Sequence, residues 1–217
     1  MEKIENLAGY IDHTLLDVSA GHADIERLCN EALEYGFASV CVHPCHIVQA
    51  AGILEGSSIK VCSVIGFPCG SNMPDVKMLE AMRAVAKGAQ ELDMVVNISA
   101  LKAGDRKAFM QDIFMTVEGA GDAPVKAIIE TGLLDGEEKK LACELAVTAG
   151  ASFVKTCTGF GPGGATVDDI RLMRSIVGDS IGVKASGGIR TFEQACELLN
   201  AGASRLGTSS SVKIVGS

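Results

Sequence analysis

The sequence contains no tryptophan, and its aromatic residues amount to two tyrosines and seven phenylalanines in 217 residues. No aromatic ladder is available to stack on bases, and no basic run accompanies one. Positive charge is also scarce. The 19 Lys+Arg against 27 Asp+Glu leave a formal charge of −8, which argues against a nucleic-acid surface and favours a small-molecule partner. Long apolar runs are missing too: nothing approaches the roughly 18 consecutive apolar residues of a membrane span. The opening MEKIENLAGY lacks the basic-then-apolar order of a secretion signal, so a cytoplasmic protein with no membrane partner is expected. No linker divides the chain, and residues 1–217 are expected to form one domain.

Eight cysteines are present, and Cys29, Cys62, Cys143 and Cys196 sit inside apolar segments where a free thiol behaves as a small core residue. In a reducing compartment no structural disulfide is expected. Four glycines, Gly36, Gly88, Gly150 and Gly202, stand after helical patterns and before strand-like runs, at spacings of 52, 62 and 52. Glycine there ends a helix in the left-handed conformation. Each interval holds one more strand-like run, at KVCSVIGF, KAIIETG and IGVKASGG, and an opening strand at Tyr10–Leu16 brings the count to eight.

Helices fill the gaps. Pro74 suits a first turn, with Val76, Leu79, Met82 and Val85 as its expected apolar stripe. Asp135 with Glu138, Thr166 with Asp169, and Thr191 with Gln194 have the spacing of N-terminal caps. Alternation of this kind leaves an open doubly wound sheet or a closed barrel. The dinucleotide fingerprint of the open sheet is absent, since GFGPGG has the wrong glycine spacing, and eight near-equal units fit the barrel. The expected fold is α/β, a closed (βα)8 TIM barrel with a short final helix.

In a barrel, chemistry belongs at the carboxyl ends of the strands, and alternation decides which side chains face the axis. That turns Asp93 of strand four, Lys126 and Glu130 of strand five, Lys155 of strand six and Lys184 of strand seven inward. Such charges form either a neutralising ion-pair network or a catalytic cluster. Two glycine-rich loops favour the second reading: Ser186-Gly187-Gly188-Ile189-Arg190 after strand seven and Gly207-Thr208-Ser209-Ser210 after strand eight. These are the places where barrels hold a phosphate on backbone amides. A phosphate at one end and amines at the other describe an enzyme for a small phosphorylated sugar. Two rivals are a metal-dependent lyase using Cys41-Val42-His43-Pro44-Cys45-His46, whose spacing fits no common zinc pattern, and a non-catalytic sugar-phosphate sensor, which would not need two inward lysines.

Over essentially its whole length the chain resembles the deoxyribose-phosphate aldolases, class I (Schiff-base) aldolases. The matching segments are IDHTLL, CVHP, VIGFPCG, ELDMVVNI, KAIIETG, VKTCTGFGPGGAT, VKASGGIRT and RLGTSS. The resemblance implies reversible cleavage of 2-deoxy-D-ribose 5-phosphate to acetaldehyde and D-glyceraldehyde 3-phosphate, in nucleoside and carbohydrate breakdown. It implies no cofactor or metal, and a homo-oligomer, dimer or tetramer. It makes Lys155 the Schiff-base nucleophile, Lys184 the lysine that tunes it and Asp93 the acid/base. It gives substrate contacts to Asp12, Cys41, Thr158, Gly159, Gly187, Gly188, Gly207 and Ser209. Cys157 stands where many relatives carry serine, and Phe160 where some carry lysine, so more of the phosphate binding is expected to fall on backbone amides. An ordinary lysine is less than about 0.1% neutral at pH 7, so a cationic Lys184 close to Lys155 is expected to favour the free amine.

Overall fold

The computed structural model describes residues 6–216. Eight parallel strands close into a barrel in sequence order, each paired with the next and β8 with β1. The strands are β1 (Ile11–Leu15), β2 (Ser39–Val42), β3 (Lys60–Ile65), β4 (Glu91–Val95), β5 (Val125–Ile128), β6 (Phe153–Lys155), β7 (Gly182–Ser186) and β8 (Arg205–Thr208). The helices are α1 (His22–Tyr35), α2 (Ile47–Ile53), α3 (Pro74–Ala86), α4 (Ile98–Lys102), α5 (Arg106–Ala120), α6 (Gly136–Thr148), α7 (Val167–Val177), α8 (Phe192–Asn200) and α9 (Ser211–Val215). All eight expected strands are present.

The helix ends follow the sequence. Asp135 and Glu138 cap each other at 2.9 Å, and Thr166 and Thr191 accept from the amides of Asp169 and Gln194. Gly36, Gly88, Gly150 and Gly202 all have positive φ. The short α9 packs on α1, α8 and β1, and buried His13 of β1 fastens it there. The imidazole lies 2.9 Å from Ser211 Oγ and 2.7 Å from Glu31 Oε2, tying α9 and α1 to one strand.

The main apolar core lies between barrel and helices, with Leu92, Met94, Val125, Ala127, Val183, Ala185 and Leu206 facing outward into it. All eight cysteines are free, and Cys29 and Cys143 belong to this layer. Burial pushes the Cys143 thiol up to about 12.

Two expectations are corrected. In α3, Val76, Leu79 and Met82 are exposed, at 40%, 54% and 47%, and the face turned to the protein carries Lys77, Ala81 and Ala84. Residues spaced strictly by three wind around a helix of 3.6 residues per turn, so Val76 and Val85 end on opposite sides. Buried Lys77 is held by Asp112 Oδ2 at 2.7 Å and the Val95 carbonyl at 2.8 Å. Glu130 does not join the axis: β5 ends at Ile128, and Glu130 takes a left-handed φ of 54°. Its carboxylate sits above the barrel, accepting from the Thr158 hydroxyl at 2.6 Å and the Thr158 amide at 3.2 Å.

Candidate active site

Alternation along the strands puts charge inside the barrel. Asp12, Asp93, Lys126 and Lys184 are fully buried, and Lys155 is 3% exposed. Asp93 is the hub. Its Oδ2 accepts from Lys155 Nζ at 2.7 Å and Lys184 Nζ at 2.6 Å, while Oδ1 accepts from Lys126 Nζ at 2.9 Å. The two lysines expected to face each other are therefore joined through a carboxylate. Lys184 also forms an ion pair with Asp12 Oδ2 at 2.5 Å.

These contacts fix the charge states. Burial alone would raise Asp93, but Lys126, Lys155 and Lys184 together hold its carboxyl well below the usual range. Asp12 is lowered in the same way, against burial, by Lys184, Lys126 and Arg205. Burial works against the Lys184 ammonium, yet Asp12 and Asp93 outweigh it and raise its pKa, so Lys184 is a firm cation.

Below this hub lie two residues to which the sequence reading gave no role. Glu91 Oε2 is 2.7 Å from Lys126 Nζ and 3.2 Å from the Arg205 guanidinium, which also reaches Asp12 Oδ1 at 2.6 Å. The signal that could have found them is parity: Glu91 lies two residues before Asp93, and Arg205 two before Gly207.

Above the hub, at the carboxyl ends of the strands, a cavity of about 590 Å³ opens. Its floor includes Lys155, and its walls include Thr158, Gly159, Gly187, Gly188, Gly207, Ser209 and the exposed Phe160 and Arg190. Asp12 and Cys41 are brought to the charged cluster beneath this cavity rather than to its wall. Gly207 has a reason of its own, because a Cβ there would come within 2.9 Å of Lys184 Cε. The β6–α7 loop lies on the turn that follows β5. A Cβ on Gly132 would meet the Pro162 carbonyl oxygen at 2.0 Å, and one on Gly161 would meet the Glu130 carboxyl at 2.9 Å.

The cysteine–histidine segment does not gather as a metal site. Cys41 is buried, whereas Cys45 is exposed, and His43 Nε2 is engaged by the Leu16 carbonyl at 3.1 Å. Among the described residues, Cys41, Cys62 and Asp93 bring three potential ligand atoms within 4.8 Å of one another. Asp93 there already holds three ammoniums, which a cation would have to displace.

An amine on the floor of a cavity at this end of a barrel, paired to a carboxylate, is equipped to condense with a carbonyl. Comparison with known proteins agrees. The sequence pattern of the DeoC/LacD family aldolases matches residues 7–214. The chain belongs to that family. As a family aldolase it is a carbon–carbon lyase. It is 55% identical over 213 residues to the deoxyribose-phosphate aldolase of Thermoanaerobacter sp. (strain X514), covering 97% of this chain and 96% of that one. It is 56% identical over 211 residues to that of Exiguobacterium sibiricum, covering 97% and 96%. The family fold is matched closely by the deoxyribose phosphate aldolase of Aeropyrum pernix, described as a tetramer. The TM-score is 0.91 and the identity 37%, over 97% of this chain and 89% of that one.

Proposed function

We propose that the protein is a deoxyribose-phosphate aldolase that cleaves 2-deoxy-D-ribose 5-phosphate reversibly to acetaldehyde and D-glyceraldehyde 3-phosphate through an imine on Lys155. The observation that carries this reading is the position of Lys155: its amine forms part of the cavity floor and shares one carboxylate oxygen with Lys184. The Lys155 amine adds to the substrate aldehyde, and loss of water gives the iminium. The iminium draws in the electrons of the α,β carbon–carbon bond as the neighbouring hydroxyl gives up its proton, releasing glyceraldehyde phosphate. Protonation of the remaining enamine and hydrolysis return acetaldehyde and the free amine. Asp93 carries protons directly or through water, and the cationic Lys184 beside it favours the free amine of Lys155.

The phosphate rests on the backbone of Gly187, Gly188 and Ser209, with Arg190 supplying charge at the rim. Thr158 and Gly159 line the opposite wall, and Asp12 and Cys41 act from below. The protein works as one barrel domain in the cytoplasm and needs no cofactor. No helix among the described residues is long and apolar enough to cross a membrane. It assembles as a homo-oligomer, a reading supported by exposed Met73 just before α3, exposed Val76, Leu79 and Met82 along it, and by the tetrameric relative.

Incubation with acetaldehyde and borohydride followed by mass mapping tests the assignment. A reduced two-carbon unit is expected on Lys155, and labelling of Lys126 or Lys184 instead would overturn it. Exhaustive chelation is expected to leave turnover intact. Loss of activity restored by zinc would replace the amine mechanism with a metal one.

A further inference from the structure

The buried charges form a closed circuit. From the bottom of the barrel, Arg205 contacts Asp12 at 2.6 Å, Asp12 contacts Lys184 at 2.5 Å, and Lys184 contacts Asp93 at 2.6 Å. Asp93 then contacts Lys126 at 2.9 Å, Lys126 contacts Glu91 at 2.7 Å, and Glu91 returns to Arg205 at 3.2 Å. Cation and anion alternate at every step, so the ring is neutral by itself. Lys155 hangs from it at Asp93, 2.7 Å away, as the one ammonium in the cluster that the ring's charge balance does not require.

We propose that Arg205 and Glu91, at the floor of the barrel and away from the substrate, are positioning residues that set the pH range of imine formation at Lys155 by keeping this ring neutral. The inference rests on Lys155 being the imine-forming amine. A ring short of one cation would be net negative and would hold Lys155 as an ammonium. A ring short of one anion would be net positive and would favour the free amine.

The arrangement suits a through-ring effect. Every ring member but Arg205 and Glu91 is fully buried, so solvent screens little between them. Arg205 is fixed in place, with its guanidinium also over the Phe153 ring at 5.9 Å. Other ionisable groups lie beside the ring or above it: the Cys41 thiol of β2 and the Cys62 thiol of β3 next to Asp93, Glu130 above the barrel on Thr158, and Arg190 at the cavity rim. Burial holds Cys62 well above the ordinary thiol value, and a hydrogen bond with Cys62 lowers Cys41. All four groups are common to the variants compared below, so they do not alter the direction of a difference between them.

The test is the rate of borohydride trapping of acetaldehyde from pH 5 to 9 in wild type, Arg205→Gln, Glu91→Gln, the double variant and Arg205→Lys. The onset of trapping in Arg205→Gln should move to higher pH by about one unit, on the order of tenfold slower on the rising limb. In Glu91→Gln it should move to lower pH by a similar amount. The double variant should return toward wild type, and Arg205→Lys should keep the wild-type onset even if its rate falls. A purely structural role would lower amplitude without moving the onsets in opposite directions. Both single variants shifting the same way, or neither shifting, would overturn the proposal. Should Arg205→Gln not fold, Glu91→Gln decides alone, since an unmoved or raised onset in it is fatal. Labelling away from Lys155 in wild type would sink the assignment of the imine to Lys155, whereas labelling at Lys155 with profiles that do not separate would sink only the ring.

Discussion

The two cores of this molecule are built from the same strands on opposite principles. On β4, Leu92 and Met94 point to the helices while Glu91 and Asp93 point to the axis; on β7, Val183 and Ala185 flank Lys184 in the same way. The outer layer is held by removal of apolar area from water, which is non-directional and tolerant of exchange among residues of similar volume. The inner one is held by pairing, which demands that charges match in number and place, because an ammonium or carboxylate left alone there has neither water nor counterion. The candidate site lies with the inner core, where replacing a member of the charged ring disturbs a balance. The outer layer contains an imitation of it, the Lys77–Asp112 pair, whose burial lowers the lysine and raises the carboxyl.

Four substitutions or conditions separate the two cores. Lys155→Met should abolish turnover, by about a thousandfold or more, while costing little stability, because Asp93 keeps Lys126 and Lys184. Steady-state rates and a denaturant titration on the same sample check both halves. Large destabilisation would show that Lys155 is a structural member of the ring. Lys184→Leu should lower imine formation at neutral pH by about a hundred- to a thousandfold, with part recovered as pH rises, and Lys184→Arg should retain more. A pH–rate profile unchanged in the leucine variant would assign Lys184 to contacting substrate or positioning Asp93 instead.

In the outer layer, fully buried Phe109 should show the reverse pattern. Phe109→Ala is expected to cost about 3–5 kcal/mol in unfolding free energy and to change kcat by less than about twofold. A large kcat loss in a folded sample would show that the layers are mechanically coupled. The smallest effect is the acid response. Asp12 and Asp93 have folded-state pKa values below their ordinary 3.8, so their contribution is complete above that pH and is lost as pH falls through it toward the folded values. Melting temperature should therefore be nearly flat from pH 8 to 5 and decline below about 4. Asp93→Asn, with one such carboxylate gone, should show a shallower decline, and an equal slope would place the acid sensitivity elsewhere.

The eight strands were legible because glycine after each second helix and β-rich runs between them are local signals, and local signals survive folding when every level agrees. Asp93, Lys155 and Lys184 were legible as a group because parity along a strand is a geometric rule that holds over a few residues. Parity failed at Glu130, where a left-handed residue breaks the alternation, and a sequence carries little warning of that in a non-glycine position. Lys77 was hidden because its partner Asp112 is 35 positions away, and a lysine on a helix reads as surface until its counterion is known. Arg205 and Glu91 obeyed the alternation rule but belonged to no chemical motif, and the ring that gives them meaning is closed only in three dimensions.

The contact between Gly132 and Pro162 has a consequence for how such a site can be changed. Because the turn at 130–132 and the loop at 158–164 fit backbone to backbone, with Glu130 tying Thr158 between them, the two segments form a single unit of inheritance. A library that randomises the loop alone samples mostly sequences that no longer seat on their bed. One that varies both segments together, holding Gly132 fixed, reaches altered substrate preference with far fewer dead variants.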